Sequence, residues 1–248
     1  MAAPVDAART TTSVSTAATS TNINTGTPAN GDLALVLGRF AGDASTVTFT
    51  GYNVIDTGSV IPDSFDASDD WTWAWWRVCD GTEGATDAMS WVNSVKGCFT
   101  YYRITGHDAP GRPPVSQSQT ISVGTGANLA PNACTPSYGS ADYLWITWAG
   151  LDGETQAFGT PLNYTNLTTT NSGTGGAVAT NCRMASASRQ LTAASEASAT
   201  LQNAAPQSGV TAIMIAVPAP SVVDRGRAEP VRVYNPAQMQ AILRNRGR

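Results

Sequence analysis

Charge is the first thing this sequence has little of. Asp, Glu, Lys and Arg supply 13% of its 248 residues, about half of the ~25% found in ordinary globular proteins. A surface made with so few charges is built from Ser, Thr, Asn, Gln and Gly. Such a surface fits β-sheet proteins of extracellular or particle-bound type better than cytosolic enzymes. Histidine is nearly absent: His107 is the only one. Any Ser-His-Asp triad would have to use it, yet it lies in the turn "ITGHDAPGRPP" and no G-x-S-x-G elbow accompanies it. No run of about 18 apolar residues occurs, which excludes a membrane-spanning helix. The opening "MAAPVDAARTTTSVSTAATS" has no apolar h-region, so the expectation is a protein made in a cytoplasm without a secretory leader. The sequons "NYT" and "NLT" therefore carry little meaning.

The other familiar signatures of chemistry are missing too. Cys79, Cys98, Cys134 and Cys182 include no C-x-x-C pair. They read as buried thiols or a late-formed disulfide, with a zinc site disfavoured because its ligands would have to come from far apart. "GTGANLA" (124–130) has glycines but no strand–loop–helix context for phosphate. Carboxylates gather in loops, as in "DSFDASDD" (63–70), "CDGTEGATD" (79–87) and "LDGE" (151–154), without the spacing of a calcium loop. Nothing singles out two of them as a glycosidase pair. The expectation is no enzyme, no cofactor and no metal.

What is there is short-period hydrophobic pattern. "DLALVLGRF" (32–40), "TVTFTGYNVI" (46–55), "AMSWVNSV" (88–95), "GCFTYYRITG" (97–106), "DYLWITWAG" (142–150) and "GVTAIMIAVP" (209–218) read as strands, separated by Gly, Pro, Asn and Asp. Many short strands with turn signals every ten to twenty residues argue for a sandwich or barrel. "VTAIMIAV" is apolar on both faces and reads as a central strand.

The aromatic residues say more. In "WTWAWWRVC" (71–79), period-2 alternation puts Trp71, Trp73 and Trp75 on one face and Trp76 on the other. Tyr101 and Tyr102 oppose one another, as do Trp145 and Trp148. Burying one indole contributes on the order of 4–6 kcal/mol. Several strands should therefore be covered on both sides, by the sandwich core and by a loop, a helix or another subunit. Trp71, Trp73 and Trp75 also form a candidate aromatic contact surface on which sugars would stack.

The charge that exists is unevenly placed. Residues 1–223 carry eight basic and sixteen acidic side chains, a net of −8, and residues 224–248 carry six arginines and two acids, a net of +4. A basic tail on an acidic body points to an acidic partner. The arginines lack interleaved aromatics, so nucleic acid is not the expected one. "YNPAQMQAILRNRGR" (234–248) reads as a short helix with Asn235 as N-cap and Pro236 in the first turn. Met239, Ile242 and Leu243 make its apolar stripe. So short a helix is marginal alone and should dock. The candidate assembly residues are Arg225, Arg227, Arg232, Tyr234, Met239, Ile242, Leu243 and Arg244.

The order of motifs carries a resemblance. "GDLALVLG", "TFTGYNVIDTGS", "WAWWRV" with "DGTEG", "YYRITGHDAPGRP" and a closing "SGVTAIMIAVPAP" together resemble a β-sandwich domain of bacteriophage virion proteins, found in or near minor tail proteins and fibres. The resemblance spans residues 12–219, and its motifs are soft ones. It implies a structural or adhesive role and no catalytic residues.

The expectation is thus an all-β chain: a jelly-roll-like antiparallel β-sandwich over residues 19–219, an extended N-terminal arm over 1–18, and a basic linker with a docking helix over 220–248. The expected role is a non-enzymatic structural protein on the exterior of a phage particle, tail-associated, in a fibre, or decorating the capsid. Its expected partners are copies of itself and other virion proteins, with no nucleic acid and no membrane insertion. The alternative is a carbohydrate-binding module recognising host surface glycans.

Overall fold

The computed structural model describes residues 2–56, 61–62, 69–109, 111–121, 128–154, 157–173, 180–197, 201–202 and 210–221. Its first half holds β1 (Val5–Asn24), β2 (Leu33–Ala41), β3 (Val47–Thr48), β4 (Asn53–Asp56), β5 (Ile61–Pro62), β6 (Asp69–Val78) and β7 (Thr86–Thr105). Its second half holds β8 (Val115–Ile121), β9 (Asn128–Leu129), β10 (Ala141–Asp152), β11 (Thr165–Asn171), β12 (Cys182–Ala193), β13 (Leu201–Gln202) and β14 (Val210–Pro218). One sheet runs β1-β7-β2-β6-β4, with β3 on β7 and β5 on β6; the other runs β11-β12-β10-β14-β8. β9 and β13 form a small separate pair.

The chain is an all-β antiparallel sandwich. Its connectivity differs from the interleaved path of a jelly roll, because each sheet comes from one half of the chain. The chain changes layer after β7, in a stretch that includes Pro113 and Pro114. Proline has no N–H for a ladder, so pairing stops there. The expected central strand is central: β14 lies between β10 and β8.

Alternation along each strand builds cores on both faces. Leu33, Leu35 and Leu37 of β2, Tyr102 and Ile104 of β7, Leu144, Ile146 and Trp148 of β10, and Ile213, Ile215 and Val217 of β14 meet between the sheets. Their neighbours point outward and are buried as well. Ala34, Val36, Phe40, Phe99 and Tyr101 form a second core outside the first sheet. Tyr143, Trp145, Ala187, Met214 and Ala216 form a third outside the other, closed by Cys134 and Tyr164 from loops. Each fully buried Val, Leu, Ile, Phe or Met among them contributes roughly 1.5–3 kcal/mol.

The second core is closed by a bend in the longest strands. β1 and β7 each run 20 residues, against a usual five or six or so. Their register shifts once near the start, at Asp6/Ala8, runs regularly from Ala8↔Arg103 to Val14↔Gly97, shifts at Val14/Ala18 and again at Ala18/Ser20, then resumes to Asn24↔Thr86. Bulges of this kind bend a strand pair. Beyond the bend the ribbon lies over the outer face of its own sheet, where Ile23, Met89 and Trp91 pack against Phe40, Phe99, Trp73 and Trp75. Gly97 sits at the bend because a Cβ there would meet the Phe99 ring at 3.1 Å and the Arg39 carbonyl oxygen at 3.3 Å.

This corrects the expected arm. Residues 5–24 are extended, but they are the edge strand of the first sheet, paired with β7. No boundary falls at residue 18. Threonine is β-branched and favours a pleated strand, which the Ala/Thr/Ser composition concealed. Side chains of β1 then reach the other sheet: Arg9 Nη2 donates to Ser188 Oγ at 2.6 Å, and Ser13 Oγ donates to the Asn171 carbonyl at 2.6 Å. The expected linker and helix at 222–248 lie outside the described residues.

One charged pair crosses the inner core. Arg39 of β2 donates from Nη2 to Asp152 Oδ1 of β10 at 2.6 Å, with the two side chains 0% and 2% exposed. Gly150 makes room for it, since a Cβ there would meet Arg39 Cδ at 3.0 Å.

Candidate functional site

The tryptophan run occupies β6 with the alternation expected of a strand. Trp71, Trp73 and Trp75 stack along one face, with ring centroids 6.1 and 5.6 Å apart and interplanar angles of 20° and 6°. Trp76 faces the inner core, beside Ala74. The row is roofed from within the chain. Phe49 meets Trp75 edge-on at 5.8 Å, and Trp73 Nε1 donates to the Ala44 carbonyl at 3.1 Å. Trp75 is 2% exposed and Trp73 9%. The aromatic contact surface expected at Trp71, Trp73 and Trp75 therefore narrows to Trp71, which is half-buried. The bent ribbon and the 44–52 segment take the place that sugar or subunit would have filled.

A polar clasp holds that roof down. The Arg77 guanidinium lies 4.8 Å above the Tyr52 ring, with Nη2 at 3.2 Å from Glu83 and 3.1 Å from Asp87. Tyr52 Oη donates to Asp87 Oδ2 at 2.9 Å. Burial, then the Asp87 charge, raises the Tyr52 phenol far above its ordinary range. Burial, then Glu83, pushes the nearby Cys79 thiol up to about 11, which keeps it protonated and unreactive near neutrality.

His107 is committed to backbone. Its Nδ1 accepts the Ala109 N–H at 3.1 Å, so Nε2 carries the proton and donates to the Gly31 carbonyl at 2.9 Å. Burial lowers its pKa below the ordinary value, with the Gly31 contact opposing. A histidine depressed in the folded state gives stability that is complete above the unfolded pKa of about 6.5 and is lost as pH falls through the folded value. As pH falls below about 6.5, the natural chain is expected to lose more stability than a His107→Gln chain, whose amide keeps the Gly31 bond. Denaturant titrations at several pH values read the difference. Parallel pH dependences for the two proteins would remove this role.

Clefts open on the surface among the described residues. The first, about 500 Å³, lies along the bent ribbon and is lined by Ser20, Thr21, Asn22, Thr48, Thr50 and Ser90 among others. A second, about 200 Å³, includes Asp6, Asn166, Ser188 and Arg189. The third, about 310 Å³, brings together Arg112, Tyr138, Asp142 and Thr192 beside Pro220 and Ser221. There Arg112 donates from Nε to Asp108 Oδ2 at 2.6 Å and lies 5.7 Å from the Tyr138 ring centre, which is half-buried. Ser221 N–H donates to Asp108 Oδ2 at 3.3 Å. This cleft is lined in part by Ser221, the last described residue of the chain. Its residues lie far apart in the sequence, and no motif announces them.

The expected assembly residues Arg225, Arg227, Arg232, Tyr234, Met239, Ile242, Leu243 and Arg244 all lie outside the described residues. Among the described residues no group of three or more His, Cys, Asp or Glu is placed to hold a metal ion, and no helix is long and apolar enough to cross a membrane.

The fold defines the chain as an all-β antiparallel sandwich. Comparison with protein-family models, curated proteins and solved structures finds no match.

Proposed function

We propose that the chain is a non-enzymatic structural protein on the exterior of a bacteriophage particle, tail-associated, in a fibre, or decorating the head. It assembles with copies of itself and other virion proteins through residues 222–248. The observation that supports this best is the division of labour between body and tail. Among the described residues, the body packs side chains of its own on both faces of both sheets. The exposed large apolar residues among them, Val5, Val54, Val92 and Leu162, lie on separate elements. The tail couples the Met239, Ile242 and Leu243 stripe with a net charge of +4, against −8 on the body. Opposite charges of that size steer two copies together. The order of sandwich motifs and the charge-poor surface support a particle setting.

Light scattering on the full chain and on a chain ending at Pro220 tests this. The full chain is expected to assemble and the shortened one to be monomeric, with assembly weakening as salt screens the charges. Two identical folded monomers would overturn tail-mediated assembly. The reading would then pass to a host-glycan-binding module, with the Tyr138 ring, Arg112, Asp142 and Thr192 as the sugar contacts in the third cleft.

A further inference from the structure

Two of the four cysteines meet. Cys98 of β7 and Cys182 of β12 point at each other from opposite sheets, with Sγ atoms 3.4 Å apart and both side chains 0% exposed. They sit beside the cross-sheet ion pair: Cys98 is registered against Arg39, and Cys182 against Asp152. The Cys182 thiol also donates to the Arg39 carbonyl at 3.4 Å. Cys79 and Cys134 lie apart, in the two outer cores.

We propose that Cys98 and Cys182 are a disulfide-forming pair that ties the two halves of the sandwich together. Their sulfurs are in contact already, and a bond of about 2.0 Å needs an approach of only about 1.4 Å. Disulfides across the core are an established device of immunoglobulin sandwiches. The oxidant is a low-molecular-weight disulfide such as oxidised glutathione. One cysteine thiolate attacks it and releases one glutathione thiolate, leaving a mixed disulfide. The second cysteine thiolate displaces the other glutathione and closes the Cys98–Cys182 bond. Both cysteines lose their protons and are oxidised, and two glutathione thiols are formed. Because both sulfurs are sealed, exchange occurs while the sheets are apart, during folding or in transient opening. The bond joins residues 84 apart in sequence, so it restricts the unfolded chain strongly. This inference stands whether or not the tail drives assembly.

The full chain, unfolded in reductant and refolded in mixed reduced and oxidised glutathione, provides the test. Mass spectrometry of non-reduced digests is expected to find the Cys98 peptide linked to the Cys182 peptide, with Cys79 and Cys134 remaining thiols. The oxidised protein is expected to melt about 10 °C above the reduced one. That gap should vanish in a chain carrying both Cys98→Ala and Cys182→Ala. A refolded chain that keeps four alkylatable thiols overturns the proposal, and so does a link through Cys79 or Cys134. Should the double variant fail to fold, the digest of the natural chain decides by itself.

Discussion

Replacing Asp152 with alanine is expected to destabilise the fold by about 3–5 kcal/mol. Arg39 would stay where it is, because its stem is packed against Gly150 and the β2 backbone around it is interior to the first sheet. Its guanidinium would then be a buried cation without the carboxylate now 2.6 Å away. Desolvating an ion costs several kcal/mol, and the partner charge offsets a large part of it. Arg39→Met should cost a similar amount by removing the charge that faces the buried carboxylate. The double change Arg39→Met with Asp152→Leu should recover most of the loss, since neither charge remains to be desolvated. Urea titration measures all three, and unchanged slopes would show that stability alone has moved. Single variants within about 1 kcal/mol of the natural chain would mean the pair is solvated in solution, as surface pairs are. The sandwich would then be more open at this end than described.

The ion pair and the thiol pair illustrate what pattern alone conveys and what it does not. Alternation told correctly which way Trp71, Trp73, Trp75 and Trp76 face, how Tyr101 and Tyr102 divide, and how Trp145 and Trp148 divide. Each of these needs only the two-residue period of a strand. It also told that aromatics on both faces require cover on both faces. It did not tell where the cover comes from. That depends on the two register shifts between Val14 and Ser20 of β1 against β7, and a bulge is set by packing rather than by any residue pattern in "RTTTSVSTAATSTN". The same limit hid the contacts Arg39–Asp152 and Cys98–Cys182. Each joins two sheets, and their meeting depends on both registers and on how the layers lie over each other. The cleft of Arg112, Tyr138, Asp142 and Thr192 is assembled from four separate segments, the fourth being Ala219, Pro220 and Ser221, so no local motif exists to read.

The bent ribbon makes a second large effect. Trp75→Ala is expected to cost about 3–5 kcal/mol, whereas Trp71→Ala should cost about 1 kcal/mol or less. The two indoles belong to one stacked row, so ring chemistry does not separate them; cover does. Trp75 is the floor on which Phe49 stands edge-on, and it is 2% exposed. The packing there has no slack, for a Cβ on Gly38 would come within 2.9 Å of the Phe99 ring and 3.0 Å of Trp75. Neighbours so constrained cannot collapse into the space an indole leaves, and the cavity adds to the lost transfer free energy. Trp71 ends the row and is only partly buried against the outer core, so water fills part of the space its removal leaves. Guanidinium unfolding of the two variants, followed by circular dichroism so that the lost fluorophore does not matter, reads the contrast. Equal and small costs would mean that the ribbon stands off the sheet in solution. The face of Trp71, Trp73 and Trp75 would then be open after all, and a stacked ligand or a second subunit would again be its natural cover.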